Sequence, residues 1–195
     1  DTKLFLDPCQ IEFGKTKWAI RAQRAISSYF DCFYGLYRGD TSDDEKLALF
    51  DHSHEINATR LGYGNGHNGK AKTSQGMLDT FQSVPSLICA GIELSQASDL
   101  AVFIKDFAED CLSDLLTNVV FNELMDFTLE QCQKYGKATQ DAPTGYFYWS
   151  ADEAQWKQYQ GPCLLVNGEL ILLVPKEFVR DRYYFTANQF FSRII

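Results

Sequence analysis

Two histidines and a neighbouring carboxylate have a spacing that suits metal or acid–base chemistry. His52 and His54 form an H-x-H pair, and Glu55 follows directly. In an extended segment both imidazoles point the same way, and with a carboxylate they can bind zinc, manganese or iron. Histidine is also suited to general-base catalysis near neutral pH. The alternative is that this acidic stretch is the solvated end of a helix.

A second set of polar residues repeats every four positions. Asp110, Asp114 and Asn118 share one face if the segment is helical. Two ionised aspartates on one face repel each other, and a divalent cation or an arginine would offset that repulsion. The alternative is ordinary capping, with Ser113 as the N-cap. The candidate catalytic residues are thus Asp110, Asp114, His54 and Glu55, and the candidate metal ligands are His52, His54 and Asp114.

The glycine-rich stretch GYGNGHNGKAK, residues 62–72, places Gly64, Gly69 and Lys70 at the spacing of a phosphate-binding loop. Such a loop needs a buried strand before it and a hydroxyl after the lysine to hold Mg²⁺. Here Ala71 follows the lysine, and polar residues precede the loop. A structural loop is therefore favoured. The weaker ligand-binding hypothesis is that Gly64, Gly66, Gly69 and Lys70 contact an anion.

Composition restricts the classes of function. The 195-residue chain carries a formal net charge of -8, which disfavours a sequence-independent grip on nucleic acid. No apolar run approaches the ~20 residues of a membrane span, so no membrane association is expected. Six scattered cysteines without a C-x-x-C pair are typical of reduced thiols and predict a cytoplasmic protein. No cofactor is predicted other than a divalent metal for a hydrolase.

Periodicity and turn signals predict the elements that must position these residues. Residues 16–37 and 112–135 are expected to be long amphipathic helices, the second ended by Gly136, and Ser42 is expected to begin a short one. The segments 87–94 and 100–104 have the apolar character of strands or buried segments. Ser150 and Glu153 suggest a capping box before a short helix that carries Trp156.

The clearest local signal is CLLVNGELILLV, residues 163–174, which predicts a β-hairpin with a type I′ turn at Asn167–Gly168. The prediction for the fold is α+β, with two long helices packed on a small mixed or antiparallel sheet that includes this C-terminal hairpin. Residues 1–195 are expected to form a single domain. The apolar segment 190–195 suggests the N-terminal part of a longer protein, which meets a protein partner or a following domain there.

Four short motifs carry a resemblance to a known kind of domain. They are LFLDP near the start, LGYG with its glycine-rich loop, DCLSDLLTN, and LILLVPKE. Together they resemble an uncharacterised bacterial domain at the N-terminus of restriction- or phage-defence-type proteins. The resemblance implies a role in antiviral defence, with catalysis after Ile195 or in a partner chain.

Two functions follow as hypotheses. The first is a non-catalytic recognition or scaffolding module of a cytosolic bacterial protein, engaged in protein–protein interaction. The alternative is a metal-dependent hydrolase, a nuclease or a nucleotide hydrolase, in which clustered Asp, His and Glu hold a metal that activates water.

Overall fold

The structure, a computed structural model, describes residues 4–53, 56–61, 73–104, 107 and 109–183. Its helices are α1 (Pro8–Glu12), α2 (Lys17–Arg38), α3 (Asp43–Phe50), α4 (Ser74–Thr80), α5 (Val84–Cys89), α6 (Ala97–Phe103), α7 (Glu109–Val119) and α8 (Phe121–Lys134). Its strands are β1 (Phe5–Leu6), β2 (Gln140–Asp141), β3 (Phe147–Ser150), β4 (Gln155–Gln158), β5 (Pro162–Val166), β6 (Glu169–Ile171) and β7 (Val179–Arg180). The α+β class is confirmed. In this described part of the chain, every helix is too short or too polar to span a bilayer.

Helix α2 is the central element, and its 22 residues confirm the helix predicted over 16–37. Thr16 caps it, because its Oγ1 accepts a hydrogen bond from the Ala19 amide at 3.2 Å. The buried side chains of α2 recur at helical spacing and form the middle of the core: Trp18, Ala19, Ala22, Ala25, Tyr29, Phe30, Phe33, Tyr34 and Tyr37.

An aromatic cluster holds α2 to its neighbours. The ring of Phe33 lies 4.9 Å from Tyr34, 4.9 Å from Tyr37 and 5.0 Å from Phe81, measured between centroids. The Phe81 and Tyr34 rings meet Phe33 nearly edge-on, which is the arrangement that the ring quadrupole prefers. Since Phe81 follows α4, this cluster joins α2 to a distant part of the chain.

The strands pair antiparallel in separate small sheets: β1 pairs with β7, β5 pairs with β2 on one side and β6 on the other, and β3 pairs with β4. The predicted hairpin is confirmed, with Val166 opposite Glu169 across a two-residue turn. Asn167 and Gly168 have φ of 54° and 82°, as a type I′ turn requires. Glycine fits the second position because it has no Cβ to oppose a positive φ.

The predicted short helix after Ser150 is wrong. Residues 151–154 form the turn between β3 and β4, and Ser150 pairs with Gln155. Trp149 lies opposite Trp156 in this hairpin, and their rings are 5.5 Å apart and nearly perpendicular. Cross-strand aromatic pairing with burial therefore outweighs the local capping pattern.

The strand interpretation of residues 87–94 and 100–104 is also wrong, although the second segment is buried or half-buried throughout and the first over half of its residues. They belong to α5 and α6 and to the loops that follow these helices. Gly91 has φ of 81° and lies in a Schellman motif, in which the Ile92 amide donates to the Leu87 carbonyl at 3.1 Å. A short apolar run does not by itself distinguish a helix from a strand. A glycine at the end of the run, such as Gly91, is typical of a helix C-terminus.

The long helix predicted over 112–135 is divided in two. Val120 has φ of -96° and ψ of 22°, and it separates α7 from α8. As predicted, Gly136 ends the second part: it has φ of 61°, and the Lys137 amide donates to the Cys132 carbonyl at 2.8 Å. The division lets α7 pack on β1 while α8 packs on β5.

The aromatic cluster predicts a specific stability result. Replacing Phe33, whose side chain is 0% exposed, by alanine should lower the free energy of unfolding by about 3–5 kcal/mol, because it leaves a cavity among packed rings. Phe13→Ala is the matched control, since Phe13 is 71% exposed and should change stability by less than about 0.5 kcal/mol. Urea denaturation measures both, and equal effects would contradict the proposed role of the cluster.

Candidate functional site

The repeat of Asp110, Asp114 and Asn118 lies on α7, as predicted. Ser113, which the capping alternative places at the N-cap, is instead the fifth residue of the helix. Its buried Oγ accepts a hydrogen bond from the Leu6 amide at 3.0 Å and so fixes β1 against α7. The side-chain amide of Asn118 donates from Nδ2 to the backbone carbonyl of Asp114 at 3.0 Å, within the same helix.

The carboxylates of α7 converge on Tyr183. This tyrosine is 4% exposed, and its hydroxyl donates to the Glu109 carbonyl at 2.8 Å. Burial raises its pKa well above the usual range, and the nearby carboxylates of Asp7, Asp110 and Asp114 raise it further. Asp7 is itself fully buried. Asp110, Asp114 and a third aspartate that the sequence did not single out, Asp7, therefore all lie in the surroundings of Tyr183.

His52 lies in a different environment. Its imidazole stacks on Phe147, with centroids 3.6 Å apart and planes 8° apart, and it meets Trp156 edge-on at 5.8 Å. Trp156 in turn donates from Nε1 to the Leu49 carbonyl at 2.8 Å. Packing between α3 and the β3–β4 hairpin therefore accounts for the position of the imidazole ring.

The candidate metal ligands lie partly inside and partly outside the described residues. Among residues that the structure describes, no group of three or more His, Cys, Asp or Glu is arranged to hold a metal ion, so His52, Asp110 and Asp114 do not form one. His54 and Glu55 lie outside the described residues. So do the glycine-loop candidates Gly64, Gly66, Gly69 and Lys70, and the apolar segment 190–195. The predictions for these positions stay predictions.

A cleft that the sequence did not reveal lies between α1, the middle of α2 and the start of α6. It has a volume of about 110 Å³. Its floor is apolar and consists of Pro8, Ile11, Ile26, Phe30 and Ala97. All except the half-buried Ile26 belong to the buried core, so the floor of the cleft is the outer surface of that core.

Polar side chains surround the mouth of the cleft and hold its walls together. Gln23 donates from Nε2 to the carbonyls of Ile11, Glu12 and Gly14 at 2.7, 3.0 and 2.9 Å, which ties α1 to α2. Gln96 donates to Oε1 of Glu12 at 3.0 Å, which ties α6 to α1. These bonds fix the shape of the cleft.

The charged side chain among the residues that line the cleft is acidic. Glu12 lies at the mouth, and Asp99 accepts from the Ser95 and Gln96 amides at 2.8 Å each as it caps α6. Burial raises the pKa of the Cys9 thiol, beside the cleft, to about 12, and the carboxylates of Asp7, Glu12 and Asp99 add to that rise. A thiolate is therefore disfavoured here, and a cation is favoured.

Two large apolar side chains are exposed beside the cleft. Phe13, the residue after Glu12, is 71% exposed, and Ile20, one helical turn before Gln23, is 57% exposed. Single exposed apolar residues are common on protein surfaces. Their position next to a cleft with an apolar floor makes this face a candidate binding surface, which we call the cleft face.

Local signals for the cleft walls were present in the sequence. Asp7 accepts from the Cys9 and Gln10 amides and Pro8 follows it, so LDP marks the end of β1 and the start of α1. Gln96 and Asp99 form a capping box at the start of α6. No local signal shows that these two helix starts meet, because that contact depends on how α1 and α6 pack against α2.

A second group that sequence reasoning missed is Glu123 on α8. Its Oε2 atom is buried and has no hydrogen-bond partner among the described residues. Burial raises the pKa of this carboxyl to about 7, while a hydrogen bond to its own amide and the Arg21 guanidinium act in the opposite direction. Arg21 is paired instead with Asp126, at 3.2 Å. The consequence is a carboxyl that gains and loses its proton near neutral pH.

Fold and site define an α+β domain in which a mainly helical core carries a small acidic cleft. The comparison with protein families places it more closely: residues 1–186 match the family described as Domain of unknown function (DUF8370), and the chain belongs to that family. No curated protein and no solved structure matches the chain.

Glu123 predicts a pH-dependent stability. Its folded-state pKa of about 7 lies above the value near 4.3 of an unfolded glutamate, so the folded state retains a proton that the unfolded state has released. This contribution to stability is complete below about pH 4.3 and is lost as pH rises through about 7. Glu123→Gln should therefore gain stability over the wild type with rising pH, on the order of 1–3 kcal/mol at pH 8.

The measurement is urea denaturation of both proteins at several pH values from 4 to 8. Glu130→Gln, on the exposed face of the same helix, is the matched control and should show no such trend. A difference between Glu123→Gln and wild type that stays constant across this range would contradict the shifted titration of Glu123.

Proposed function

We propose that this domain is a non-catalytic recognition module of a cytosolic bacterial protein, and that it binds a protein partner through the cleft face. The observation that carries the proposal is the cleft itself, an apolar floor of core residues with polar walls fixed by Gln23 and Gln96. Protein interfaces combine such a preformed apolar centre with a polar rim. Exposed Phe13 and Ile20 extend the apolar area beyond the cleft.

The compartment and the biological setting are parts of the same proposal. All six cysteines lie in the described part of the chain, and none of them forms a disulfide, which fits a reducing cytoplasm. The resemblance of four sequence motifs to a domain of restriction- and phage-defence-type proteins supports a role in antiviral defence. A following domain or partner at residues 190–195 remains a further prediction.

One observation favours the alternative, a metal-dependent hydrolase. Asp7, Asp110 and Asp114 all raise the pKa of the buried Tyr183, so the three carboxylates lie around one tyrosine, although these three alone are not arranged to hold a metal ion. Clustered carboxylates are the ligands that Mg²⁺ and Mn²⁺ prefer. This version would use Asp110 and Asp114 with His54 and Glu55.

Site-specific photo-crosslinking tests the recognition proposal. A photoreactive phenylalanine analogue is placed at Phe13 or at Ile20 of the full chain, in cells that naturally make the protein. Both positions should crosslink to the same partner, because both belong to the cleft face. The control position is Tyr135 at the end of α8, which is 64% exposed and should not capture that partner. Identical adducts from all three positions, or none from Phe13 and Ile20, would overturn the proposal.

A thermal unfolding measurement tests the alternative. Ligands that bind only the folded state raise the unfolding temperature by mass action. The recognition proposal predicts no rise with Mg²⁺, Mn²⁺ or Zn²⁺. A rise of several degrees with one metal that is lost in both Asp114→Asn and His54→Ala would instead establish a metal site and favour the hydrolase.

A further inference from the structure

We infer that the cleft between α1, α2 and α6 receives a lysine or arginine side chain of the protein partner. The inference rests on the proposed function, since it takes the occupant to be part of a protein. It adds the chemistry of the contact, which follows from the size, the charge and the surroundings of the cleft.

The volume of the cleft selects a single side chain. Pockets for cofactors and drug-sized ligands typically measure about 300–1,000 Å³, whereas this cleft measures about 110 Å³. A nucleotide or an organic cofactor would leave most of its surface outside the cleft. One long side chain fits, and the exposed positions at the mouth, Glu12, Ser27 and Ser95, leave the cleft open for it to enter.

The negative charge of the carboxylates at the cleft favours a positively charged side chain. No ion pair in the described part of the chain involves Glu12, so its charge at the mouth is not neutralised by a neighbouring lysine or arginine. Asp99 adds negative potential from below α6, and burial together with these carboxylates keeps the Cys9 thiol protonated. Phosphate and carboxylate groups are repelled by this field.

The side chains of lysine and arginine match a cleft that is apolar at its floor and acidic at its mouth. Both side chains bury an apolar stem while their charged group remains near water. Here the stem would lie on Ile11, Ile26 and Phe30, and the charged group would reach Glu12 at the mouth. The hydroxyls of Ser27 and Ser95 can accept further hydrogen bonds from an ammonium or guanidinium.

The surroundings of the cleft indicate a protein and not a free amine. A small amine would gain nothing from Phe13 and Ile20, which are 71% and 57% exposed outside the cleft. A protein that inserts a basic side chain would cover them, and large apolar residues around a central anchor are typical of protein interfaces.

Nuclear magnetic resonance titration of the isotope-labelled chain tests the inference. The probes are the blocked amino acids N-acetyl-lysine amide and N-acetyl-arginine amide, with N-acetyl-norleucine amide as the uncharged control. One of the basic probes should shift the amide signals of Ile11, Ser27 and Gln96 with a dissociation constant in the millimolar range, on the order expected for a fragment. Norleucine should bind at least tenfold more weakly, and added salt should weaken the basic probe.

Variants of the chain distinguish binding of the basic probe in the cleft from attraction to negative charge elsewhere on the surface. Glu12→Gln should weaken the basic probe by up to about fivefold, as expected for an exposed ion pair, while Glu130→Gln, an exposed carboxylate on α8 outside the cleft, should not change its binding. Because Glu12 also accepts a bond from Gln96, a second variant is needed. Ser27→Arg, at an exposed position of α2, places a cation at the mouth and should block the probe while preserving the helix.

The outcomes distinguish the inference from the proposed function. Equal binding of norleucine, binding unaffected by Glu12→Gln and Ser27→Arg, or no shifts at these amides would overturn the inference. If Phe13 and Ile20 still crosslink to one partner in that case, the recognition function stands and only the basic contact is wrong. If the probe binds as expected but neither position crosslinks, the cleft is a cation site and the recognition function fails.

Discussion

Burial of one face of α2 is the constraint on which the rest of the structure depends. Tyr29, Phe30, Phe33 and Tyr34 are each no more than 1% exposed, and they touch rings from elements far away in the sequence. Hydrophobic burial of this kind is the main favourable term in folding, and aromatic contacts give it a defined geometry. The small sheets contribute few strands each, so the helix and not a continuous sheet organises the domain.

The same helix also builds the candidate site. Phe30 belongs to the core and to the floor of the cleft, and Gln23, two turns earlier, ties α1 to α2 through three carbonyls. A surface fixed in this way loses little conformational freedom when it binds. The cleft face therefore derives its shape from the packing that stabilises the fold.

The parts of the fold that sequence predicts well are those with local chemical causes. Ser42, Gly136 and the Asn167–Gly168 turn act through bonds to residues a few positions away, and each is where the sequence predicts it. The helix after Ser150 fails because the pairing of Trp149 with Trp156, and their contact with Tyr29, is tertiary.

The candidate site is harder to predict for the same reason. Glu12, Gln23 and Gln96 look ordinary one by one, and only packing brings them together around the cleft. His52 shows the reverse: its residue type suggests chemistry, whereas its stacking on Phe147 is structural. Residue type therefore indicates what a side chain can do, and its neighbours decide what it does.

The pairing of β1 with β7 has a consequence for how the chain is made. Phe5 pairs with Arg180, and the Asp7 amide donates to the Phe178 carbonyl at 2.9 Å, so these contacts close almost the whole described chain into a loop. A ribosome releases the N-terminal segment first, long before residues 178–180 exist. The strand that precedes α1 must therefore wait for its partner through nearly the entire synthesis of the domain. Gln23 and Gln96 can hold the cleft wall that α1 provides before then, and the contact of Asp7 with Phe178 completes it at the end.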